Sequence, residues 1–121
     1  MEEQSQKRHP FDLEQRTLSF AKDVIRVCKQ LPQSVINREI VGQLVRSSGS
    51  VGANYREAND ALSKKDFTYR IKIVRKEAKE TCYWLELLLE ANPEYRADID
   101  RLFNESVELK KIFSAIVNKS S

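Results

Sequence analysis

Turn-forming residues are scarce in this sequence, and their scarcity limits the chain to a few long elements. Only three glycines and three prolines occur among 121 residues, and the prolines lie far apart at Pro10, Pro32 and Pro93. Charged residues make up 32% of the chain, so each long element must keep one solvated face. Amphipathic helices meet both conditions, because each buries one apolar stripe and exposes the rest. No segment shows the alternation of apolar and polar residues that a half-buried strand requires.

Two helices are predicted in the first half of the chain. Asp12 is the expected N-cap of the first helix, which ends near Gln30, ahead of the loop around Pro32. Ser34 is the expected N-cap of the second helix, which ends near Ala61. Helical spacing predicts that the core face of the first helix is formed by Leu18, Ala21, Val24, Ile25 and Cys28.

Two more helices are predicted in the second half. Ser63 and Asp66 form an imperfect capping box ahead of a third helix, which covers about residues 64–91. Asn92-Pro93 then predicts a new helix start with proline in the first turn, and the fourth helix ends near Asn118. Four long helices joined by short loops predict an all-α, up-and-down antiparallel four-helix bundle.

Length and composition indicate the broad class of protein. We expect the whole chain, residues 1–121, to form one domain, with residues 1–10 as a flexible N-terminal arm. The polar start lacks the apolar core of a secretory signal, and no apolar run approaches the length that spans a bilayer. Cys28 and Cys82 are isolated from each other in the sequence, which is typical of a reducing compartment. We therefore expect a cytoplasmic protein without membrane association.

All three glycines lie inside the predicted second helix, where each costs about 1 kcal/mol relative to alanine. Two explanations are open. Either the helix breaks near residues 47–50, or Gly42, Gly49 and Ala53 form a small-residue face that lets another backbone approach closely. The apolar period continues in phase through the glycines, and this continuity favours close helix packing.

The side chains that catalysis usually requires are missing from the predicted core. The only histidine is His9, ahead of the first helix, so neither a Glu-x-x-His metal site nor a histidine-activated nucleophile can form there. The glycines follow no strand and therefore form no phosphate-binding loop. Cys28 and Cys82 are expected to be buried apolar residues rather than redox groups. We predict that the protein is not an enzyme and has no metal ion or other cofactor.

One face of the third helix carries a row of cations. At about 100° per residue, its members fall within about 60° of arc on the side opposite the predicted core. We call Lys65, Lys72, Lys76 and Lys79 the lysine row; Arg75 flanks it. Such a row can contact the phosphates of a nucleic-acid backbone, or it can simply be a solvated face. The net charge of the whole chain, +3, is too small to decide between the two.

The third helix also has more apolar residues than one core face needs. The surplus residues are Tyr69, Ile73, Tyr83, Trp84 and Leu87. A helix that is apolar on more than one face is generally buried on more than one face. We predict that these residues form a subunit interface of a homo-oligomer. The alternative is that the fourth helix and the N-terminal arm cover them.

Several strings of residues resemble the 23S ribosomal RNA intervening-sequence protein family. The likeness extends over most of the chain, and the Ser-x-Ser-Val-x-Ala-Asn string that begins at Ser48 is fairly specific. The sequence departs from the family at Ala58, because many members have glycine after the preceding glutamate. The strings that carry the resemblance are 11–13, 21–24, 43–48, 50–58, 65–67 and 76–81.

The resemblance implies an assembly and a class of partner. It implies a bacterial homo-oligomer, with a pentameric ring of bundles as the expected assembly. Relatives include the accessory protein of diversity-generating retroelements, a basic ring that binds a reverse transcriptase and nucleic acid. No catalytic residues carry over. Together with the lysine row, the resemblance predicts a non-enzymatic oligomer that binds RNA backbone. The alternative is a protein–protein adaptor or accessory scaffold for a nucleic-acid enzyme, with no RNA binding of its own.

Overall fold

The computed structural model describes residues 10–120, the first three by backbone alone, and they form four long α-helices. Helix α1 spans Pro10–Gln30, α2 Val35–Asn59, α3 Lys64–Ala91 and α4 Arg96–Ser120, with a 3₁₀ turn at Pro93–Tyr95 ahead of α4. Consecutive helices pack side by side and α4 also contacts α1, so α1 and α3 lie diagonally across the bundle. The predicted all-α, up-and-down four-helix bundle is confirmed.

Serine side chains determine where α2 and α3 begin. Ser34 Oγ accepts a hydrogen bond from the Asn37 amide at 3.0 Å, and Ser63 Oγ accepts one from the Asp66 amide at 3.0 Å. Each oxygen satisfies an amide for which the helix itself offers no acceptor. Both predicted caps are confirmed, because a cap depends only on residues three positions apart.

Helix α1 differs from its prediction in its start and in its buried face. It begins at Pro10 rather than at Asp12, since proline is tolerated in a first turn that needs no amide donor. Residues 1–9 of the predicted N-terminal arm lie outside the described residues. Two of the predicted core residues, Leu18 and Ile25, are 37% and 46% exposed. The buried residues of this segment lie about a quarter-turn away: Leu13, Thr17, Phe20, Val24, Val27 and Leu31.

A buried threonine explains this rotation. Thr17 is fully buried, and its hydroxyl lies 2.8 Å from the Leu13 carbonyl and 3.1 Å from the Glu14 carbonyl. Backbone carbonyls of α1 thus accept the hydrogen bond of the hydroxyl group, so the buried hydroxyl has a partner. Gly52 of α2 packs against Thr17, because a β-carbon added at Gly52 would lie 2.9 Å from Thr17 Oγ1. A polar residue therefore occupies the contact between α1 and α2, which an apolar pattern does not indicate.

The close packing predicted at Gly42, Gly49 and Ala53 is not found within the chain. Ala53 is exposed, and a β-carbon added at Gly42 or Gly49 would meet no atom within 4 Å. Helix α2 continues unbroken through all three glycines, as the in-phase apolar period indicates. The close approach is instead at Gly52, which lies on the α1 side of α2 rather than on the outer side. Helical spacing alone does not specify which side of α2 faces α1, so it did not indicate Gly52.

Replacing glycine by alanine is expected to change the stability of the protein in opposite directions at Gly52 and at Gly49. Gly52→Ala should destabilise the protein by about 1–3 kcal/mol, because the new methyl group forces Thr17 and α1 away from α2. Gly49→Ala is the matched control and should stabilise by about 0.5–1 kcal/mol, since its methyl group meets open space and alanine favours the helix. Urea denaturation measures both. Effects of the same sign would contradict the packing described.

Two buried asparagines close the end of the bundle at which α1 and α3 finish. Asn37 and Asn92 are 6% and 2% exposed, and each side-chain amide donates to the carbonyl oxygen of the other, at 2.9 and 2.8 Å. The Asn37 amide also donates to the Pro32 carbonyl at 2.8 Å, and the Asn92 amide to the Leu88 carbonyl at 2.9 Å. The pair therefore joins the α1–α2 loop, the first turn of α2 and the last turn of α3.

Candidate nucleic-acid interface

The lysine row points away from the bundle. All four of its lysines are exposed, and Arg75 beside them is half-buried. None of these five cations forms an ion pair with another residue in the described part of the chain. Residues 64–79 contain seven basic and two acidic side chains. Since the whole chain carries only +3, its positive charge is concentrated on this half of α3.

An arginine on α2 neutralises the carboxylates nearest to the lysine row. Arg46 donates to Glu77 Oε1 at 3.3 Å and makes a short hydrogen bond to Glu80 Oε2. These contacts, and chiefly the one to Glu80, raise the pKa of Arg46 above its usual value. Glu77 is only 8% exposed. Both carboxylates are thus held against α2, where Arg46 offsets their charge, and they do not pair with the lysines.

The same contacts extend to two aromatic rings. Trp84 Nε1 donates to Glu80 Oε2 at 3.1 Å, and this hydrogen bond is the main reason that the pKa of the Glu80 carboxyl lies below its usual range. The Trp84 ring centroid is 5.1 Å from that of Tyr83, in an edge-to-face arrangement. Tyr83 is 57% exposed. A series of contacts that starts at Arg46 therefore holds an aromatic ring at the surface, next to the lysine row.

An open cavity of about 590 Å³ lies at the start of α3. Thr68 Oγ1 donates to the Ser120 carbonyl at 3.3 Å, which holds the end of α4 against the first turns of α3. Three cations and one aromatic ring dominate the lining, and no carboxylate of residues 13–120 takes part in it. The lining residues are Lys64, Lys65, Thr68, Tyr69, Lys72 and Ser120. The cavity suits an anionic group with a planar ring.

Comparisons of sequence and of structure identify the relatives of this bundle. The sequence profile of the 23S rRNA-intervening sequence protein family matches residues 10–115. The chain belongs to this family. A crystal structure from Bacteroides thetaiotaomicron, described as a protein of unknown function from the S23 ribosomal protein family, is similar with a TM-score of 0.75. It is 34% identical, and the match covers 86% of this chain and 96% of that chain. No curated protein matches the sequence.

The five residues predicted as a subunit interface lie in two environments. Tyr69 and Tyr83 are 61% and 57% exposed and share the outward arc of the lysine row. The other three are half-buried on the side of α3 that faces Arg46 of α2, and Trp84 packs against the core of its own chain. We call Ile73, Trp84 and Leu87 the α3 apolar surface. The predicted single interface is therefore two different surfaces.

The family member also has a second apolar surface, which the sequence argument missed. We call Leu18, Ile25 and Val45 the α1–α2 apolar surface; they are 37%, 46% and 37% exposed. Val45 precedes Gly52 by two helical turns, and Gly52 packs against Thr17, so Val45 lies on the α1 side of α2. The signal was present in the sequence. With Thr17 recognised as buried, Leu18 and Ile25 are no longer needed for the core.

Neither cysteine belongs to a cluster of reactive groups. Cys82 is buried with its sulfur 3.1 Å from Ser106 Oγ, and burial raises the pKa of the Cys28 thiol to about 11. Over residues 13–120, no three His, Cys, Asp or Glu side chains come together in a group that could hold a metal ion. Each helix within the described part of the chain is too short or too polar to cross a membrane.

Proposed function

We propose that this protein is a non-enzymatic, cytoplasmic homo-oligomer that binds the phosphate backbone of RNA through the lysine row. The observation that carries the proposal is a row of four exposed lysines without ion-pair partners among the described residues. Like charges aligned in this way repel one another, and a polyanion relieves the repulsion. The row extends for about 21 Å along α3. That length is sufficient to meet several phosphates of a nucleic-acid strand.

The family descriptions favour RNA as the polyanion. The name of the matching family refers to intervening sequences of 23S ribosomal RNA. The similar crystal structure is described as a member of the S23 ribosomal protein family. Contacts from lysines to phosphates position a protein on nucleic acid but carry no sequence information. We therefore expect RNAs of unrelated sequence to bind with similar affinity.

Assembly of several copies raises the affinity of such a row. One row of four lysines binds weakly, whereas a single RNA that spans several copies gains affinity from the high effective concentration of the next row. The α3 apolar surface and the α1–α2 apolar surface lie on two faces of the bundle that meet at α2. Two different surfaces can pair head to tail, and such contacts close into a ring when the rotation between neighbouring copies divides a full turn evenly. A homopentamer is the ring that the family resemblance implies.

The proposed RNA binding is tested by fluorescence anisotropy of a labelled RNA. With four phosphate contacts, the logarithm of the affinity should fall with a slope of about −3 against the logarithm of salt concentration. Between about 50 and about 200 mM salt, the affinity should drop about 50-fold. A slope near zero, or no binding at the lower salt concentration, would contradict backbone contact.

Leu87→Glu is expected to shift the assembly toward monomer. Leu87 is half-buried and lies outside the core cluster of its own chain, so a charge there disturbs a contact between copies rather than the fold. The matched control is Leu62→Glu in the α2–α3 loop, where the side chain is 99% exposed. Light scattering measures the mass of both variants. A wild-type protein that is already monomeric would disprove the assembly.

An adaptor for a nucleic-acid enzyme is the second candidate, and one observation favours it. Val35 and Ile36 are 68% and 63% exposed in the first turn of α2, at the opposite end of the bundle from Lys65. An exposed apolar pair suits a protein contact. Under this account, RNA does not bind at any salt concentration, and Ile36→Glu abolishes co-purification of the partner enzyme.

A further inference from the structure

We infer that the lysine row binds RNA as a single strand, whose bases stack on Tyr69 and Tyr83. The inference rests on the proposed function and deepens it by naming the form of RNA that the surface accepts. Its starting point is that both rings are exposed on the same outward arc of α3 as the lysines. Along that arc the order of residues is Lys65, Tyr69, Lys72, Lys76, Lys79 and Tyr83.

Neither tyrosine is explained by the bundle itself. Tyr69 and Tyr83 are 61% and 57% exposed, so neither contributes much to the core. Neither hydroxyl makes a hydrogen bond with a residue in the described range. Both rings are therefore free to stack on a ligand, and the neighbouring lysines favour a ligand with negative charge. A negatively charged chain that carries flat rings meets both conditions.

The strand form follows from which parts of the RNA a protein can reach. In a double helix the faces of the bases are stacked on one another, so an aromatic side chain cannot stack on them. In a single strand the faces are free, and stacking on an aromatic ring combines with phosphate contacts made by nearby cations. A lysine row that is interrupted by Tyr69 and ends at Tyr83 therefore suits a single strand, whereas lysines alone would suit both forms of RNA.

The surroundings of Tyr69 provide space for a base. Its ring borders the open cavity of about 590 Å³, together with Lys65 and Lys72. A base lying on the ring would occupy the cavity, and its flanking phosphates would lie within reach of the two lysines. No carboxylate of residues 13–120 lines this cavity, so nothing described there repels the phosphates.

The surroundings of Tyr83 hold a ring in place. Its neighbour Trp84 is fixed by the hydrogen bond to Glu80, which Arg46 in turn holds from α2. A ring that is already ordered loses less conformational entropy when a base stacks on it. Beyond Tyr83 the outward face becomes acidic, with Glu86 and Glu90 both exposed. The surface therefore ends at Tyr83, about 21 Å from Tyr69.

The test compares a labelled RNA of about 12 nucleotides, long enough to extend from Tyr69 to Tyr83, with the same strand annealed to its complement. At equal salt, the single strand should bind at least about tenfold more tightly than the duplex. Tyr69→Ala and Tyr83→Ala should each weaken single-strand binding about tenfold while leaving duplex affinity unchanged. Tyr69→Phe and Tyr83→Phe should retain wild-type affinity, because they keep the ring. Trp84 is the only tryptophan in the chain and contacts the Tyr83 ring, so its fluorescence should be quenched by the single strand and not by the duplex.

The possible outcomes separate the inference from the function beneath it. Equal affinity for both forms of RNA, or alanine variants that bind the single strand like wild type, would overturn the inference and leave backbone binding intact. Absence of binding to either form would overturn the proposed function and the inference together. If light scattering shows that Tyr69→Ala or Tyr83→Ala has a smaller mass than wild type, the rings belong to a contact between copies, and the inference is wrong.

Discussion

Replacing Lys72, Lys76 and Lys79 together by glutamate is expected to lower RNA affinity by roughly 100-fold or more. The three lysines are exposed and have no ion-pair partners among the described residues, so the folded protein loses no ion pair, only the longer-range attraction between Lys76 and Glu80. Each substitution replaces attraction of a phosphate by repulsion, and the release of counterions on binding is lost as well. Anisotropy at low salt measures the affinity, and circular dichroism shows that the helices persist.

Helix α1 offers a closely matched control for this variant. Lys22, Arg26 and Lys29 have the same spacing as the three lysines of α3, and all three are exposed. They lie on the helix diagonally opposite α3, and Arg26 already pairs with Asp23 at 2.6 Å. Their replacement by glutamate changes the net charge by the same amount but should leave RNA affinity within about threefold of wild type. An equal loss in both variants would show that net charge, rather than the α3 surface, determines binding.

Asn92→Ala is expected to destabilise the protein by about 3 kcal/mol. Asn92 is 2% exposed, and its removal leaves the Asn37 side chain without two of its hydrogen bonds and takes the side-chain donor from the Leu88 carbonyl. Both asparagine side chains are almost fully buried, so the cost of unsatisfied polar groups remains. The midpoint of urea denaturation, measured at one protein concentration, gives the change in stability.

The same substitution at another asparagine provides the control. Asn54 Nδ2 donates only to the Ser50 carbonyl of its own helix at 2.9 Å, and the side chain is half-buried. Asn54→Ala should therefore cost less than about 1 kcal/mol. The double variant Asn37→Ala with Asn92→Ala should cost far less than the sum of the single variants, because both remove one shared interaction. A similar cost for Asn92→Ala and Asn54→Ala would mean that the buried pair does not stabilise the fold.

The parts of the fold that local residues determine were predictable from the sequence. Ser34 and Ser63 begin their helices by bonding an amide three residues ahead, so the starts of α2 and α3 follow from short strings. The buried face of α1 was not predictable in this way. Thr17 lies at the centre of this face because Gly52 of α2 leaves room for its side chain. The α1 backbone accepts the hydrogen bond that the Thr17 hydroxyl donates.

The candidate site shows the same division between local and distant determinants. The outward position of the lysine row follows from the helical period alone, so the sequence located it correctly. The contacts of Arg46 with Glu77 and Glu80 depend on how α2 and α3 are rotated about their axes, which no local pattern specifies. Beside those contacts Trp84 packs against the core, while Tyr83 lies at the surface. The five surplus apolar residues of α3 could therefore be recognised from sequence, but not divided correctly between two surfaces.

The most direct test of the central claim is residue-by-residue chemical labelling of lysines in the wild-type protein. Amine acetylation with and without RNA, read by mass spectrometry, reports which side chains the RNA covers. We predict that Lys65, Lys72 and Lys76 become several-fold less reactive when RNA binds, while Lys22 and Lys29 on α1 keep their reactivity. Uniform labelling with and without RNA, or protection on α1 instead of α3, would contradict the claim that α3 carries the RNA-binding surface.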